Sequence, residues 1–368
     1  MNHDYANLHE LARLPWFSVV DGELRLDPAV GPAIDVHTHL AQSFLVPNRV
    51  QLAVESGEVH HYLPRDRAFA FDRYLNQYLT AEDRQRMERD LVWGVFAGGR
   101  MRATHTAPNL AREMRASGVV KSVLLAIDWP ILSWNAIEWL RACADRDDIV
   151  VFGSVHPLAP RVAERLDQQV ALGARGIKIH PAVQILGPDH PRTVALCRMC
   201  GERGLPVFFH CGPVGIEGEG ARARCQVDRY RAAIEQNPGT TFVLGHSGAL
   251  QPEKAIALAR EFPHVWVEFA SQSLPVIERV LAEVDPSRIC FGSDWPFYPQ
   301  AIGIAKVLVA TEGNEGLRRA VLHDNAARLL GRVRQEQAVP SMVGVGGCNE
   351  VRTGWWRPGR TKRPGSRS

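Results

Sequence analysis

The sequence predicts an α/β protein, a (β/α)8 TIM barrel with a helical insertion after its first strand and an irregular C-terminal tail. Eight short β-rich runs carry that prediction: Ile34–His37, Val119–Ile127, Ile149–His156, Gly176–His180, Pro206–His210, Thr241–His246, Val265–Phe269 and Ile289–Gly292. Most are continuously apolar rather than alternating, as strands covered on both faces are. The later ones stand roughly 20 to 35 residues apart, room for a helix and two loops. Histidine or aspartate also recurs at their C-terminal ends (His37, His39, His156, His180, His210, His246, Asp294), the end at which a parallel barrel gathers its loops. A doubly wound open sheet is the rival architecture, but no G-x-G-x-x-G turn follows the first run.

The elements follow in order. The N-terminal stretch Met1 to Val20 mixes His3, Asp4, His9, Glu10 and Arg13 with its apolar residues, which is not the pattern of an export signal. No apolar run approaches the roughly 20 residues that cross a bilayer, so a cytoplasmic, soluble protein is expected. After the first strand, about 41–117 is too long for one crossover. It holds aromatic, Arg-rich stretches such as Phe69–Tyr78 and Thr80–Leu91, which read as helical. Leaving the strand that carries two histidines, this insertion should lie over the barrel mouth and shape substrate access. Behind the last strand, Gly316–Gly331 reads as a helix ending at Gly331, with Leu317, Val321, Leu322, Leu329 and Leu330 as its apolar stripe. One barrel unit is therefore expected over 1–332. A basic, loosely packed or disordered tail is expected over 333–368, where Gly, Pro and Arg replace any periodicity.

At 368 residues, with 45% apolar and 23% charged residues and a formal net charge of +3, the chain fits one large soluble barrel and has little overall pull on nucleic acid or membrane. A small-molecule partner is expected instead. The seven cysteines are odd in number and scattered through apolar segments, unlike a disulfide framework. Cys197 and Cys200 form a lone C-x-x-C inside the helix-like stretch Thr193 to Glu202 and read as helix packing.

The chemistry begins at Ile34-Asp35-Val36-His37-Thr38-His39. Side chains two apart on a strand share a face, so one divalent metal can take both imidazoles. A distant aspartate in Phe291-Gly292-Ser293-Asp294-Trp295 is the natural complement. Lys178 and His180 share a face of the fourth strand in the same way. His156 precedes Pro157 and suits either loop structure or function, Glu268 stands where it could line a pocket, and Asp35 could be a buried hydrogen-bonding group beneath the metal.

These segments, together with Gly176-Ile177-Lys178-Ile179-His180-Pro181, Phe208-Phe209-His210, Leu244-Gly245-His246-Ser247-Gly248, Phe291-Gly292-Ser293-Asp294-Trp295-Pro296 and Asn325-Ala326-Ala327-Arg328-Leu329-Leu330, resemble the amidohydrolase superfamily. The branch they resemble is amidohydrolase-2, related to aminocarboxymuconate semialdehyde decarboxylase. The resemblance runs from about 33 to 332. It implies one divalent metal, commonly Zn2+ with Mn2+ or Fe2+ as alternatives, held by His37, His39, His210 and Asp294. It implies His246 and Asp294 as the catalytic proton carriers, with Gly245, Ser247 and Gly248 leaving the His246 ring uncrowded for substrate. His180 and Lys178 would contact substrate or support the ligands. Carboxylation of Lys178 to bridge two metals is known in the superfamily, but this branch runs on one. A homodimer is implied by analogy.

Three readings follow. The first is a hydrolase that activates water on the metal to cleave an ester, lactone or amide. The second is a nonoxidative decarboxylase of a conjugated or aromatic acid at the same site, and the third a metal-free binding barrel. An arginine that binds a carboxylate separates the first two, and Arg49, Arg65, Arg67, Arg73, Arg100 and Arg102 are candidates.

Overall fold

The computed structural model describes residues 3–44, 46–94, 101–129 and 133–337, and of 332–337 the backbone alone. All eight expected runs are strands: β1 (Ala33–Thr38), β2 (Val119–Leu125), β3 (Ile149–Phe152), β4 (Ile177–Ile179), β5 (Val207–Phe209), β6 (Phe242–Leu244), β7 (Val265–Glu268) and β8 (Ile289–Cys290). They form two parallel sheets, β1-β2-β3 and β4 through β8 in chain order. Single parallel bridges, Gly153 to Ile177 and Thr38 to Trp295, join the two sheets on both sides. Main-chain bonds from Lys178 N to Gly153 O (2.8 Å) and from His39 N to Trp295 O (2.7 Å) hold those seams, so the strands run round a barrel.

Inside, one residue set drawn from seven of the strands packs together: Ile34, Val36, Val123, Leu125, Phe152, Phe208, Val243, Trp266 and Cys290, with Ala326 and Leu329 of the last helix against them. Strands on opposite sides of a barrel can touch only through its interior. Ile34 and Val36 therefore face inward, and yet His37 and His39, of opposite parity, face the cavity. The pairing register of β1 on β2 shifts between Asp35 and Thr38. That irregularity turns the strand so that apolar residues fill the floor and imidazoles emerge above them, the local re-aiming that bulges perform beside sites.

The N-terminal 32 residues carry elements that the periodicity did not suggest. Phe17–Val20 and Glu23–Leu26 form a hairpin whose turn, Asp21-Gly22, has both φ positive (53° and 78°). An Asp-Gly pair between short apolar runs is the local signal for that turn. Asp4–Tyr5 pairs antiparallel with Phe69–Ala70, tying the N-terminus to the insertion.

The insertion is less helical than expected. Thr80 caps a helix over Ala81–Val92 through a capping box with Asp83, and Ala107–Ala116 is the crossover helix that returns the chain to β2. The described part of 42–68, however, has no helix or strand. Pro47, Gly57 and Pro64 interrupt it, and Leu52, Val59, Tyr62 and Leu63 bury one by one rather than along a helical stripe.

Behind β8, Glu315–Arg319 leads through a π-helical turn, Ala320–Asp324, into a helix over Asn325–Gln337. The expected stop at Gly331 is thus a correction. Gly331 is not in the left-handed conformation that a capping glycine adopts, and a glycine with ordinary φ can be carried through a helix interior. The rest of the expected tail lies outside the described residues. Cys197 and Cys200 are fully buried on the helix Pro191–Gly201, and the six described cysteines are free and buried. No helix among the described residues is long and apolar enough to cross a membrane.

One buried charge ties the outer shell to the barrel mouth. Lys306, on the helix Gln300–Ala310, donates to Gln272 O (2.6 Å), and the Gln272 amide donates to His246 O (2.6 Å) and Ala249 O (2.8 Å). Burial pushes the Lys306 ammonium down to about 7 from 10.5. Between those values the unfolded chain binds a proton that the folded chain does not, so the destabilisation, complete below about pH 7, is relieved as pH rises toward 10.5. We expect the melting temperature of Lys306→Met, followed across that window beside the wild type, to lack this upward component. Parallel profiles would show that Lys306 does not titrate there.

Candidate active site

The C-terminal ends of the strands open into a cavity of about 620 Å³ lined by His37, His39, Lys178, His180, His210, His246 and Asp294. The sequence-expected residues thus share one chamber. His37 Nε2 and His39 Nε2 stand 3.5 and 3.3 Å from the same oxygen, Asp294 Oδ1.

The hydrogen bonds fix which nitrogens are free. Glu268, fully buried at the end of β7, accepts main-chain N–H groups on both oxygens, from His246 on Oε1 and from Ala270 on Oε2 (2.6 Å). Facing Oε1 at 2.8 Å, His37 Nδ1 is therefore a donor. His39 Nδ1 donates to Leu125 O (2.9 Å), and His246 Nδ1 to Ala270 O (3.2 Å). That leaves His246 Nε2 as the acceptor for His210 Nδ1 at 3.1 Å. By this chain of partners His37, His39 and His210 each keep Nε2 as a lone pair, the form in which imidazole binds a metal.

Two lone pairs aimed at a carboxylate oxygen repel one another unless a cation lies between them, so the donor set fits a metal ion. His37, His39 and Asp294 offer ligand atoms within 4.8 Å of one another, as do His37, His246 and Glu268. In the second group His37 Nδ1 is already engaged by Glu268, which leaves the first as the coherent ligand trio. His210 does not join it by distance. Its ring stacks on His180 with centroids 3.9 Å apart and planes at 9°.

The backbone around these groups is held in left-handed conformations rare for residues with a Cβ: φ is 56° at His246, 44° at Ser247, 65° at Ser271 and 66° at Asp294. Gly292 is required by proximity, because a Cβ there would lie 2.3 Å from Glu268 Oε2. The expectation that Gly245 and Gly248 clear space for substrate needs correction. A Cβ at Gly245 would meet Phe209 O at 2.7 Å, and one at Gly248 the Ala255 methyl at 2.7 Å, so both serve packing within the protein.

Burial sets the charges. It drives the His37, His180 and His210 imidazoles well below the usual histidine range, with neighbouring cationic groups adding to the effect, and lowers His246 to about 4 against the pull of Asp294. Lys178 falls to about 8; its Nζ has no hydrogen-bond partner among the described residues and lies 4.5 Å over the Phe208 ring.

Other expected residues are structural. His156 is satisfied on both nitrogens, by Gln184 O (2.8 Å) and Leu158 N (3.1 Å). Asp35 lies beneath the ligands, where it accepts from His37 N (3.1 Å), Ser293 N (3.0 Å) and the Gln300 amide (2.8 Å), and so fixes the turn that carries Asp294. Among the arginines, Arg65 pairs with Glu113, Arg67 with Asp83 and Arg73 with Asp72; Arg49 is exposed and Arg100 lies outside the described residues. Of the five that are described, Arg102 alone lines the cavity. Sequence reasoning missed Tyr62, Tyr74 and Asn76, which the insertion brings to the wall. Their only signal is a place in the insertion, which does not distinguish them from its other polar residues.

Titration with Zn2+ or Mn2+ should give one tight site, lost in His37→Ala and Asp294→Ala. Glu268→Gln should weaken it about 10- to 100-fold, because the ligand would no longer be oriented from behind. Unchanged affinity in Glu268→Gln, measured by competition with a chelating dye, would remove that orienting role.

The profile of the Amidohydrolase family matches residues 34–332. Among curated proteins, 4-sulfomuconolactone hydrolase of Hydrogenophaga intermedia is 28% identical over 106 aligned residues, a match spanning 23% of this chain and only 35% of that protein. Among solved structures, an uncharacterised TIM-barrel protein of Bordetella bronchiseptica superposes with a TM-score of 0.60 at 16% identity, over 83% of this chain and 100% of that one. The 2,6-dihydroxybenzoate decarboxylase of Rhizobium gives 0.52 at 16% identity, over 81% and 99%. A 2-pyrone-4,6-dicarboxylic acid hydrolase assignment in Pseudomonas putida gives 0.52 at 18% identity, over 82% and 98%. At those identities the structures speak for the barrel, and the profile speaks for the family: this chain belongs to the amidohydrolase family, in its amidohydrolase-2 branch.

Proposed function

We propose that the protein is a metal-dependent hydrolase that cleaves an ester, lactone or amide of a small molecule, with one divalent metal, Zn2+ by the nature of the donors, on His37, His39 and Asp294; His210, outside that trio by distance, is the fourth ligand that the family resemblance implies. The convergence of two unprotonated Nε2 atoms on one Asp294 oxygen carries this reading. A metal held there supplies an acidified water and polarises the scissile carbonyl.

The chain's own residues do the rest. His246, neutral at pH 7 and fixed through Nδ1 on Ala270 O, has Nε2 as its basic nitrogen, the atom that accepts from His210 Nδ1 and that takes a proton when that bond is released. Asp294 Oδ2, 3.5 Å from the Ser271 hydroxyl, is the second oxygen of the ligand carboxylate and the place to hold a proton before it passes to the leaving group. His180 contacts substrate from the face of His210. Lys178, buried and unpartnered beside these groups, favours negative charge that develops in the chamber. Leu40, Phe44, Met87, Ile127 and Phe297 give the cavity an apolar wall that excludes bulk water and suits a compact, flat substrate.

Hydrolysis is favoured over decarboxylation by the sequence match to a lactone hydrolase, short as it is. Metal-loaded protein offered aryl esters and lactones should release acid from them, and offered aromatic or muconate-type acids should release no carbon dioxide. The reverse pattern would make the decarboxylase reading correct. In His246→Asn, kcat should fall about 10²- to 10⁴-fold with metal content retained. A variant as active as the wild type would remove His246 from the chemistry.

A further inference from the structure

We propose that Glu113 is a positioning residue for the metal site, holding Trp295 and Gln300 so that Asp294 and His39 keep their places; this rests on the metal site of the reading above. Glu113 belongs to the crossover helix Ala107–Ala116 rather than to a strand end, and it is 6% exposed. Its Oε2 accepts the Trp295 indole N–H (3.1 Å) and its Oε1 the main-chain N–H of Gln300 (2.9 Å). Both donors lie on the segment that follows Asp294.

Trp295 carries the effect to two ligands at once. It is the residue after Asp294, and its carbonyl accepts from His39 N (2.7 Å) while its own N–H is held on Ser293 Oγ (3.0 Å). With the indole end fixed as well, the residue is not free to swing. The Glu113 bond therefore restrains Asp294 through the chain and His39 through the carbonyl. Gln300 makes a second link. Its side-chain amide donates to Asp35 Oδ2 (2.8 Å), and Asp35 in turn accepts from His37 N and Ser293 N. The residues on either side of Asp294 are thus both tied to Glu113, Trp295 directly and Ser293 through Gln300 and Asp35.

A packing role alone does not call for a charge at this place. Burying a carboxylate is costly unless it is paired and bonded, and this one is supplied with both, since Arg65 Nη2 stands 3.4 Å and His61 Nε2 3.0 Å from Oε2. Although burial raises a carboxyl, these neighbours and the Gln300 bond hold Glu113 at about 2, so both oxygens accept across the working range. The helix Gln300–Ala310 has Pro299 at its N-cap and no side-chain cap, and a carboxylate at its first N–H is what the helix dipole favours. The insertion grips the same segment again at two points. His61 Nδ1 donates to Pro296 O (3.1 Å) and Leu63 N to Phe297 O (2.9 Å).

The test reads the metal rather than turnover. Metal-free wild type, Glu113→Ala, Glu113→Gln, Trp295→Phe and the double variant Glu113→Ala/Trp295→Phe are titrated with Zn2+ against a chelating dye. The visible absorption of their Co2+-loaded forms reports ligand geometry, and melts without metal record what each substitution costs the fold. We expect Glu113→Ala and Trp295→Phe each to weaken Zn2+ about ten-fold or more and to shift the Co2+ bands. The double variant should be no worse than Glu113→Ala, because the two residues act in series, and Glu113→Gln, which keeps one acceptor oxygen, should recover part of the loss. Variants that melt lower yet bind Zn2+ as tightly as the wild type, with unchanged Co2+ bands, would overturn the positioning role and leave the metal site standing. Losses that add in the double variant would also overturn it. A wild type that binds neither ion would bring down the metal reading and this proposal with it. Should Glu113→Ala fail to fold, Trp295→Phe and Glu113→Gln carry both measurements, and unchanged affinity and bands in them overturn the proposal.

Discussion

The Glu268 carboxylate is the constraint on which the site depends. It sits at the end of β7, wholly buried, and reaches three other strands at once: His37 of β1 through Nδ1, His246 after β6 through its main-chain N, and the close approach of Gly292 after β8. Burial holds this carboxyl above the usual range, and the bonds from His246 N and Ala270 N, with the Lys178 charge nearby, oppose that rise only in part by favouring the ionised form that accepts on both oxygens. Both oxygens being committed as acceptors, His37 has one tautomer open to it, and its Nε2 is left unprotonated. A single buried acid thereby sets the protonation of one ligand, the position of the neighbouring histidine and the spacing of the strand that delivers Asp294.

The left-handed residues follow from the same requirement. His246 and Asp294 each leave their strand by turning the chain so that a side chain reaches the chamber, and Ser271 turns so that its hydroxyl meets Asp294 Oδ2. That conformation costs about 1 to 3 kcal/mol each and persists only where neighbours over-determine it. Here the neighbours are visible. The Gln272 amide clamps His246 O and Ala249 O, Lys306 holds Gln272 from outside, and Asp35 holds the Ser293 turn from below. The outer helices therefore take part in the site by carrying the second halves of these bonds.

Much of this was legible in the sequence because period and position are local properties. Eight apolar runs became eight strands, and the histidines at their ends reached one chamber, because a barrel converts strand ends into neighbours. What was not legible depends on departures from regularity. Strict alternation places His37 and His39 together, correctly, but gives no warning that Ile34 and Val36 also face inward across a register shift. Gly331 has the composition of a helix stop without its conformation. Gly245 and Gly248 look like room for substrate beside His246, whereas the room is taken by Phe209 O and Ala255. In each case the residue type is permissive, and only the neighbour across the fold decides its use.

The insertion shows why chemistry is easier to read from this chain than substrate. The proposed ligands and proton carriers sit at strand ends, where one geometric rule applies to every member. Tyr62, Tyr74, Asn76 and Arg102 reach the same cavity from segments with little or no regular period, each placed by its own contacts: Leu75 N on Ser271 O, the Asn76 amide on Val214 O, Tyr62 on Asp90. Such residues can be exchanged singly without disturbing the barrel, since no shared periodic face would be lost. A chamber built in this way has a conserved physical logic at its floor and an independently variable wall. Related barrels with the same ligands can therefore present different surfaces to substrate, and the wall rather than the ligand set decides what enters.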